Sequence, residues 1–199
     1  MIKVEEIVSL QTKNVDLWHH QPVHNPYDGF LEAVCTQHQF NFLLWHEEDI
    51  ARSRNVTDEA IAKVKRAIDG YNQQRNDWIE NIDDFLTSQL EAANVTVAAD
   101  AKLNTETPGS VIDRLSILSL RIFHLDEQLM RDDVDDAHID SVKRKIAICR
   151  LQQDELSQSL QELIDDIFAG RKRHRTYRQL KMYNDPTLNP YLYSGAKAA

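Results

Sequence analysis

Two histidine-acid pairs are the residues of this sequence whose types and spacing could bind a metal ion. His46 precedes Asp49 by three positions, and His124 precedes Glu127 by three. On a helix this spacing puts an imidazole and a carboxylate on one face, so two such faces opposite each other would offer four ligands to a divalent metal. The acids could instead pair with the cations at 65–66 and 143–144, which is the commoner role of such charges.

Arginines that interrupt apolar helical stripes form a second candidate site. Arg75 stands where the helical pattern requires an apolar residue, and Arg114 and Arg121 lie seven residues apart beside Asp113 and His124. We expect these arginines to converge inside a helical bundle. Guanidinium groups there suit phosphate or carboxylate, because they donate in a planar fork and stay charged when desolvated. An internal salt-bridge network is the alternative.

A third candidate is a polar stripe at helical spacing, formed by Asn41, Trp45, Glu48 and Arg52. A tryptophan among polar groups is a frequent recognition element. The alternative is a solvated face, because Glu48 and Arg52 make an ordinary i,i+4 pair. The predicted ligand-binding residues are Asn41, Trp45, His46, Glu48, Arg52, Arg75, Asp113, Arg114, Arg121 and His124, and the predicted metal ligands are His46, Asp49, His124 and Glu127.

The segment from Arg171 to Lys181 is strongly basic, with six lysines and arginines. It could contact RNA, an anionic lipid surface or the acidic patch of a partner. It could equally dock on its own chain, whose net charge is −9. That net charge argues against nucleic-acid binding by the rest of the protein.

Long helices must position these residues. Proline and glycine are scarce at five each, and no proline lies between Pro26 and Pro108 or between Pro108 and Pro186. Because proline and glycine are the residues that interrupt helices, the sequence predicts an all-α fold. With 199 residues and no evident linker, we expect one domain over residues 1–199.

An internal repeat predicts how the helices are arranged. Residues 44–86 align without a gap on residues 122–164, so that His46 falls on His124 and Asp49 on Glu127. This repeat predicts a four-helix core of two pseudo-symmetric hairpins, at about 28–93 and 108–169. An extra N-terminal helix over 2–20 and a C-terminal tail over 171–199 with a short helix after Arg171 complete the predicted fold.

Turn residues mark the expected helix ends. Side-chain oxygens at N-cap positions accept hydrogen bonds from the first free amides, and proline is favoured at the first helical position. The predicted N-caps are Asn25 before Pro26, Thr57, Thr107 before Pro108, and Asp135; the last long helix is expected to end at Gly170, and Asn184–Pro190 to be irregular.

Composition narrows the setting of the protein. No stretch approaches the roughly 18 apolar residues of a membrane span, and the first residues do not resemble a secretion signal. Cys35 and Cys149 fall on apolar flanks of predicted helices, where a small buried hydrophobe is the common role. We therefore expect a cytoplasmic protein without a membrane span or a disulfide.

Three segments carry a resemblance to a known family. They begin at Asn41 (NFLLWHEEDIAR), Thr107 (TPGSVIDRLSILSLRIFH) and Tyr177 (YRQLKMYNDPTLNP). Together they resemble a bacterial family described as domain of unknown function 4254, over about residues 28–193. The resemblance implies a helical protein whose genes often neighbour glycosyltransferases for lipopolysaccharide or other surface glycans. It assigns no catalytic residue.

Three functional hypotheses follow. The first is a helical bundle that binds a phosphorylated or nucleotide-sugar ligand in its polar interior, in the service of surface-glycan synthesis. The second is an adaptor or homo-oligomer that organises glycosyltransferases through the Trp45 stripe and the basic tail. The third is a divalent-metal-dependent hydrolase that uses His46 and His124.

Overall fold

The computed structural model describes residues 2–182 and 185–193. The prediction of an all-α fold is confirmed, and these ranges contain no strand, only an isolated bridge between Lys102 and Lys172. None of the helices found there is both long and apolar enough to cross a membrane. The helices are α1 Val4–His20, α2 Gly29–Arg52, α3 Asp58–Ala92, α4 Pro108–Gln128, α5 Asp136–Phe168 and α6 Pro190–Tyr193.

Three of the predicted N-caps are confirmed. The side chain of Thr57 accepts a hydrogen bond from the amide of Ala60, and Thr107 accepts one from Ser110. Asp135 does the same for His138 at the start of α5. These caps satisfy amides that the first helical turn leaves without partners, which fixes where α3, α4 and α5 begin.

The predicted start of α2 at Asn25 and Pro26 is wrong. The helix begins at Gly29, whose φ is +62°, so the chain cannot run as one right-handed helix from Pro26. Asn25 instead holds the turn against the new helix: its side-chain amide donates to the carbonyl of Glu32 and its oxygen accepts from the amide of Tyr27.

Helix α4 lies at the centre of the bundle. It packs against α1, α2, α3 and α5, while α2 runs along α3 and α4 along α5 as two hairpins. Helix α1, which was predicted to flank the core, contributes the fully buried Ile7 and Val15 and therefore belongs to the core. The pseudo-twofold relation between the hairpins stays a prediction. Other fully buried core residues are Ile82, Leu86, Ile112, Leu115, Leu120, Leu160 and Ile164.

The basic tail lies extended on its own chain. The predicted helix after Arg171 is wrong. Gly170, with φ at +71°, ends α5, and the backbone after it forms a hydrogen bond to a distant segment instead of to its own next turn: the amide of Arg173 donates to the carbonyl of Lys102. Farther along, Arg178 pairs with Glu80 and Asp84 of α3. Asn184 and residues 194–199 lie outside the described residues; Asp185–Asn189 forms turns before α6.

A close approach between α3 and α4 makes Gly109 sensitive to substitution. A Cβ on Gly109 would lie 2.5 Å from the carbonyl oxygen of Ile79, whereas a Cβ on the exposed Gly70 meets nothing within 4 Å. We predict that Gly109→Ala lowers the free energy of unfolding by about 1–3 kcal/mol because the helices must move apart. Gly70→Ala should raise it by up to about 1 kcal/mol, since alanine favours a helix interior. Urea denaturation of both variants checks this, and equal effects would contradict it.

Candidate functional site

A buried carboxylate on α4 organises the polar interior. The side chain of Asp113 is 8% exposed. Its Oδ1 accepts hydrogen bonds from Gln37 Nε2 at 2.6 Å and Asn41 Nδ2 at 2.9 Å, both on α2. Arg75 on α3 donates from Nε to Oδ1 at 2.7 Å and from a terminal nitrogen to Oδ2 at 2.5 Å. Asp113 therefore joins α2, α3 and α4 through four hydrogen bonds.

The network continues to a buried histidine. Asn41 Nδ2 also donates to Ser116 Oγ at 2.9 Å, and His38 Nδ1 lies 2.6 Å from the same oxygen. Burial lowers the pKa of His38 from 6.5 to about 3, because charging the imidazole away from water is costly. His38 is therefore neutral near neutral pH and serves as a hydrogen-bonding member of the core.

The expectation that the arginines converge inside the bundle is wrong. Only Arg75 turns inward. Arg114 and Arg121 are exposed on α4, and Arg114 pairs with Glu106 at 2.8 Å. The reason is helical geometry: successive residues point about 100° apart, so the inward direction of Asp113 turns Arg114 away, and Arg121 follows seven residues later on the same outer face.

Three histidines meet between α1, α2 and α4. The rings of His46 and His124 are 5.7 Å apart between centroids, and His19 lies 5.1 Å from each of them. One ring nitrogen from each residue can be chosen so that all three lie within 4.8 Å of one another. The structure thus brings together the two histidines of the repeat and adds a third that the sequence analysis missed.

Two of these imidazoles are oriented through Nδ1. His19 Nδ1 lies 2.6 Å from the carbonyl oxygen of Val15, and His124 Nδ1 lies 2.7 Å from Glu127 Oε2. Each acceptor requires a proton on Nδ1, so in the neutral imidazole Nε2 carries a free lone pair. In the part of the chain that the structure describes, both Nε2 atoms are buried and have no hydrogen-bond partner.

The third imidazole is held neutral. Burial lowers the pKa of His46, and the neighbouring His19 and His124 lower it further, while Asp49 and Glu127 act in the opposite direction. A neutral imidazole is the form that binds a metal ion. The residues that could hold a metal are therefore His19, His46 and His124.

This set differs from the predicted quartet of His46, Asp49, His124 and Glu127. Glu127 bonds to His124 itself, and Asp49 borders a neighbouring cavity instead of joining the three imidazoles. A signal for His19 was present in the sequence: it lies four residues after the buried Val15, on an apolar face of the predicted first helix.

The Trp45 cavity lies beside the histidine cluster. It has a volume of about 330 Å³, and Ile117 forms part of its wall. The ring of Trp45 stacks on His124, with centroids 5.0 Å apart and planes 10° apart, so Trp45 lines the cavity and also contacts the histidine cluster. Glu48 and Arg52 form an ion pair at 2.9 Å on its rim. The predicted residues that line it are Asn41, Trp45, Glu48, Asp49, Arg52 and Arg75.

The α4 groove lies on the other side of Ile117. It has a volume of about 470 Å³ and is bordered by Arg114 and Arg121 from α4 and by Gln152 and Glu155 from α5. Ile117 lines both the groove and the Trp45 cavity, so the two spaces adjoin across α4. Among the described residues Arg121 has no ion pair or hydrogen-bonding partner for its side chain.

The ion pair between Arg75 and the buried Asp113 should contribute strongly to the stability of the fold. We predict that Arg75→Met lowers the free energy of unfolding by about 3–5 kcal/mol, because a buried carboxylate loses its charge partner. The matched control is Arg131→Met, which removes a bidentate pair with the exposed Asp133 and should leave the denaturation midpoint unchanged. Equal midpoints for both variants would contradict a structural role of the buried pair.

Stability should fall in mild acid because of His38. Its pKa is about 3 in the folded chain and 6.5 ordinarily, so between these values the unfolded chain takes up a proton that the folded chain does not. The contribution of the neutral His38 to the free energy of unfolding is complete above pH 6.5 and decreases as the pH falls. At 1.36 kcal/mol per pH unit, the decrease between pH 6.5 and pH 5 is about 2 kcal/mol. Denaturation of the wild type and His38→Gln across this range checks it, and identical pH slopes would contradict it.

Comparison with known proteins shows a family. No curated protein matches the chain, and no solved structure matches it. The family model described as "Protein of unknown function (DUF4254)" matches residues 31–176, a range that contains both cavities, His46 and His124 but not His19. This match covers well over half of the sequence and contains the segments that begin at Asn41 and Thr107, whereas the segment that begins at Tyr177 lies just beyond it. The chain belongs to the DUF4254 family of proteins of unknown function.

Proposed function

We propose that the protein binds a phosphorylated sugar or nucleotide sugar across the Trp45 cavity and the α4 groove, which adjoin at Ile117. The observation that carries this proposal is that Ile117 lines both spaces, so that one elongated ligand can contact Trp45 on one side and Arg121 on the other. Together the two spaces are of the size that small ligands occupy.

The side chains of the Trp45 cavity suit a sugar. An indole offers a flat apolar surface to the C–H groups of a sugar ring, and the carboxylates of Glu48 and Asp49 can accept hydrogen bonds from sugar hydroxyls. Trp45 is held in place by its stack on His124, which reduces the entropy lost on binding.

The arginines around α4 suit a phosphate. Arg121 has a free guanidinium among the described residues, and Arg114 makes only an exposed pair with Glu106. Exposed pairs contribute little stability, so a ligand phosphate can compete for Arg114. Arg75 is bound to Asp113 and acts as part of the wall. We therefore expect the anion at Arg114 and Arg121, on the outer face of α4. The sequence analysis had predicted an anion site in the interior of the bundle.

The setting of this ligand follows from the family resemblance, which implies a gene neighbourhood of glycosyltransferases. We therefore propose a role in surface-glycan synthesis, in a reducing cytoplasm that suits the buried free Cys35 and Cys149. The adaptor hypothesis is the alternative. One of its two surfaces, the basic tail, is engaged within the chain, because Arg178 pairs with Glu80 and Asp84 of α3. These contacts favour the ligand-binding hypothesis.

Titration calorimetry with three probes tests this function: UDP-N-acetylglucosamine, glucose 1-phosphate and glucose. We expect binding of at least one phosphorylated probe, and Arg121→Ala should weaken it about tenfold or more because a charge-assisted contact worth roughly 1.4 kcal/mol is lost. Glu48→Gln should also weaken the binding of the phosphorylated probe, because the carboxylate that accepts hydrogen bonds from the sugar hydroxyls is lost.

The matched control is Arg144→Ala, which removes an exposed arginine of α5 outside the groove and should leave the dissociation constant unchanged. No binding of either phosphorylated probe, or equal affinities for Arg121→Ala and Arg144→Ala, would contradict the proposed site. The adaptor hypothesis would be favoured if the protein bound none of the probes but captured a glycosyltransferase, or formed a homo-oligomer by light scattering.

A further inference from the structure

We propose that His19, His46 and His124 bind one divalent transition-metal ion through their ring nitrogens. The three residues come from α1, α2 and α4, and they are far apart in the sequence. Three helices thus deliver three imidazoles to one point, with a nitrogen of each within 4.8 Å of the others. This site is independent of the sugar-phosphate ligand proposed above.

The hydrogen bonds of the cluster leave lone pairs without partners. His19 Nδ1 donates to the carbonyl of Val15, and His124 Nδ1 donates to Glu127, so that Nε2 is the unprotonated nitrogen in the neutral form of each ring. Histidines that bind metals commonly donate their other ring N–H to a carbonyl or carboxylate in this way, because it fixes the tautomer and the ring direction. Both Nε2 atoms are buried without a hydrogen-bond partner among the described residues, and a cation would satisfy them.

Aromatic packing holds the three rings in place. His19 stacks on Phe123 with centroids 4.2 Å apart, Phe42 meets His46 edge-on at 4.5 Å, and Trp45 covers His124. The alternative is a purely structural cluster of neutral imidazoles among aromatic rings. A purely structural cluster does not explain why one nitrogen of each ring lies close to the other two, and it leaves the buried Nε2 atoms of His19 and His124 without a partner. A metal ion accounts for both features.

The donor set indicates the class of metal. Three imidazoles without a thiolate suit Zn²⁺, Co²⁺, Ni²⁺ or Cu²⁺ and do not suit Mg²⁺ or Ca²⁺, which prefer oxygen ligands. Tetrahedral bonds of about 2.0–2.1 Å place nitrogens about 3.3 Å apart, so nitrogens that lie as much as 4.8 Å apart must approach each other by up to about 1.5 Å on binding. Three protein ligands leave a fourth position for water or a ligand group, as in zinc sites that perform chemistry. The side chain of His124 is 20% exposed, so this ring reaches the surface although its Nε2 atom is buried.

The full-length chain, stripped with a chelator and dialysed, provides the test. We expect titration with Zn²⁺ and Co²⁺ to give one ion per chain, and the Co²⁺ form to show the intense visible absorption of a tetrahedral site. Mg²⁺ should not bind. His46→Ala should weaken Zn²⁺ binding by about 100-fold or more, and Glu127→Gln should weaken it by about 10–100-fold, because His124 loses its orienting partner.

The matched control for His19→Ala is His20→Ala, which removes the next histidine along the chain. His20 points outward and lies 3.9 Å from Asp16, so its loss should leave Zn²⁺ affinity unchanged. Circular dichroism verifies that each variant is folded. Less than one ion bound per wild-type chain, a Co²⁺ spectrum without tetrahedral bands, or equal losses in the His19 and His20 variants would overturn the proposal. The wild-type Co²⁺ spectrum decides the question even if a variant does not fold.

Discussion

The buried carboxylate of Asp113 is the constraint on which the rest of this structure depends. A carboxylate removed from water is costly unless charge and hydrogen bonds replace its solvation. Here Arg75 of α3 supplies the charge, and Gln37 and Asn41 of α2 supply further donors. Because all three donors lie on α2 and α3, these hydrogen bonds stabilise the rotation and register of α4 that point Asp113 toward them.

The rotation of α4 about its axis also sets the directions of the other polar side chains on this helix. Arg114 and Arg121 face outward, and the stripe that they share with Ile117 separates the two cavities. His124 follows Asp113 by eleven residues, which is close to three full helical turns, so it points to nearly the same side as the carboxylate. The network and the histidine cluster are thus positioned by the same helix orientation.

Trp45 lies between the two candidate sites. Its ring stacks on His124 of the histidine cluster and also lines the cavity that contains Arg75. The basic tail has a simpler role in this arrangement. Arg171 pairs with Asp166 of α5 and Arg178 with acids of α3, which neutralises part of the acidic surface of an otherwise negative chain.

Local chemistry in the sequence determined the all-α class and the caps at Thr57, Thr107 and Asp135, because these depend on residue types and spacing within one helix. Tertiary structure alone decided which neighbour each polar side chain met. Arg75 could be identified as a misplaced charge, but its partner Asp113, the outward turn of Arg114 and the third histidine at His19 depend on how α1, α3 and α4 pack. A helical pattern gives the direction of a side chain about its own axis, whereas the rotation and register of one helix against another come from burying all their apolar and charged groups at once.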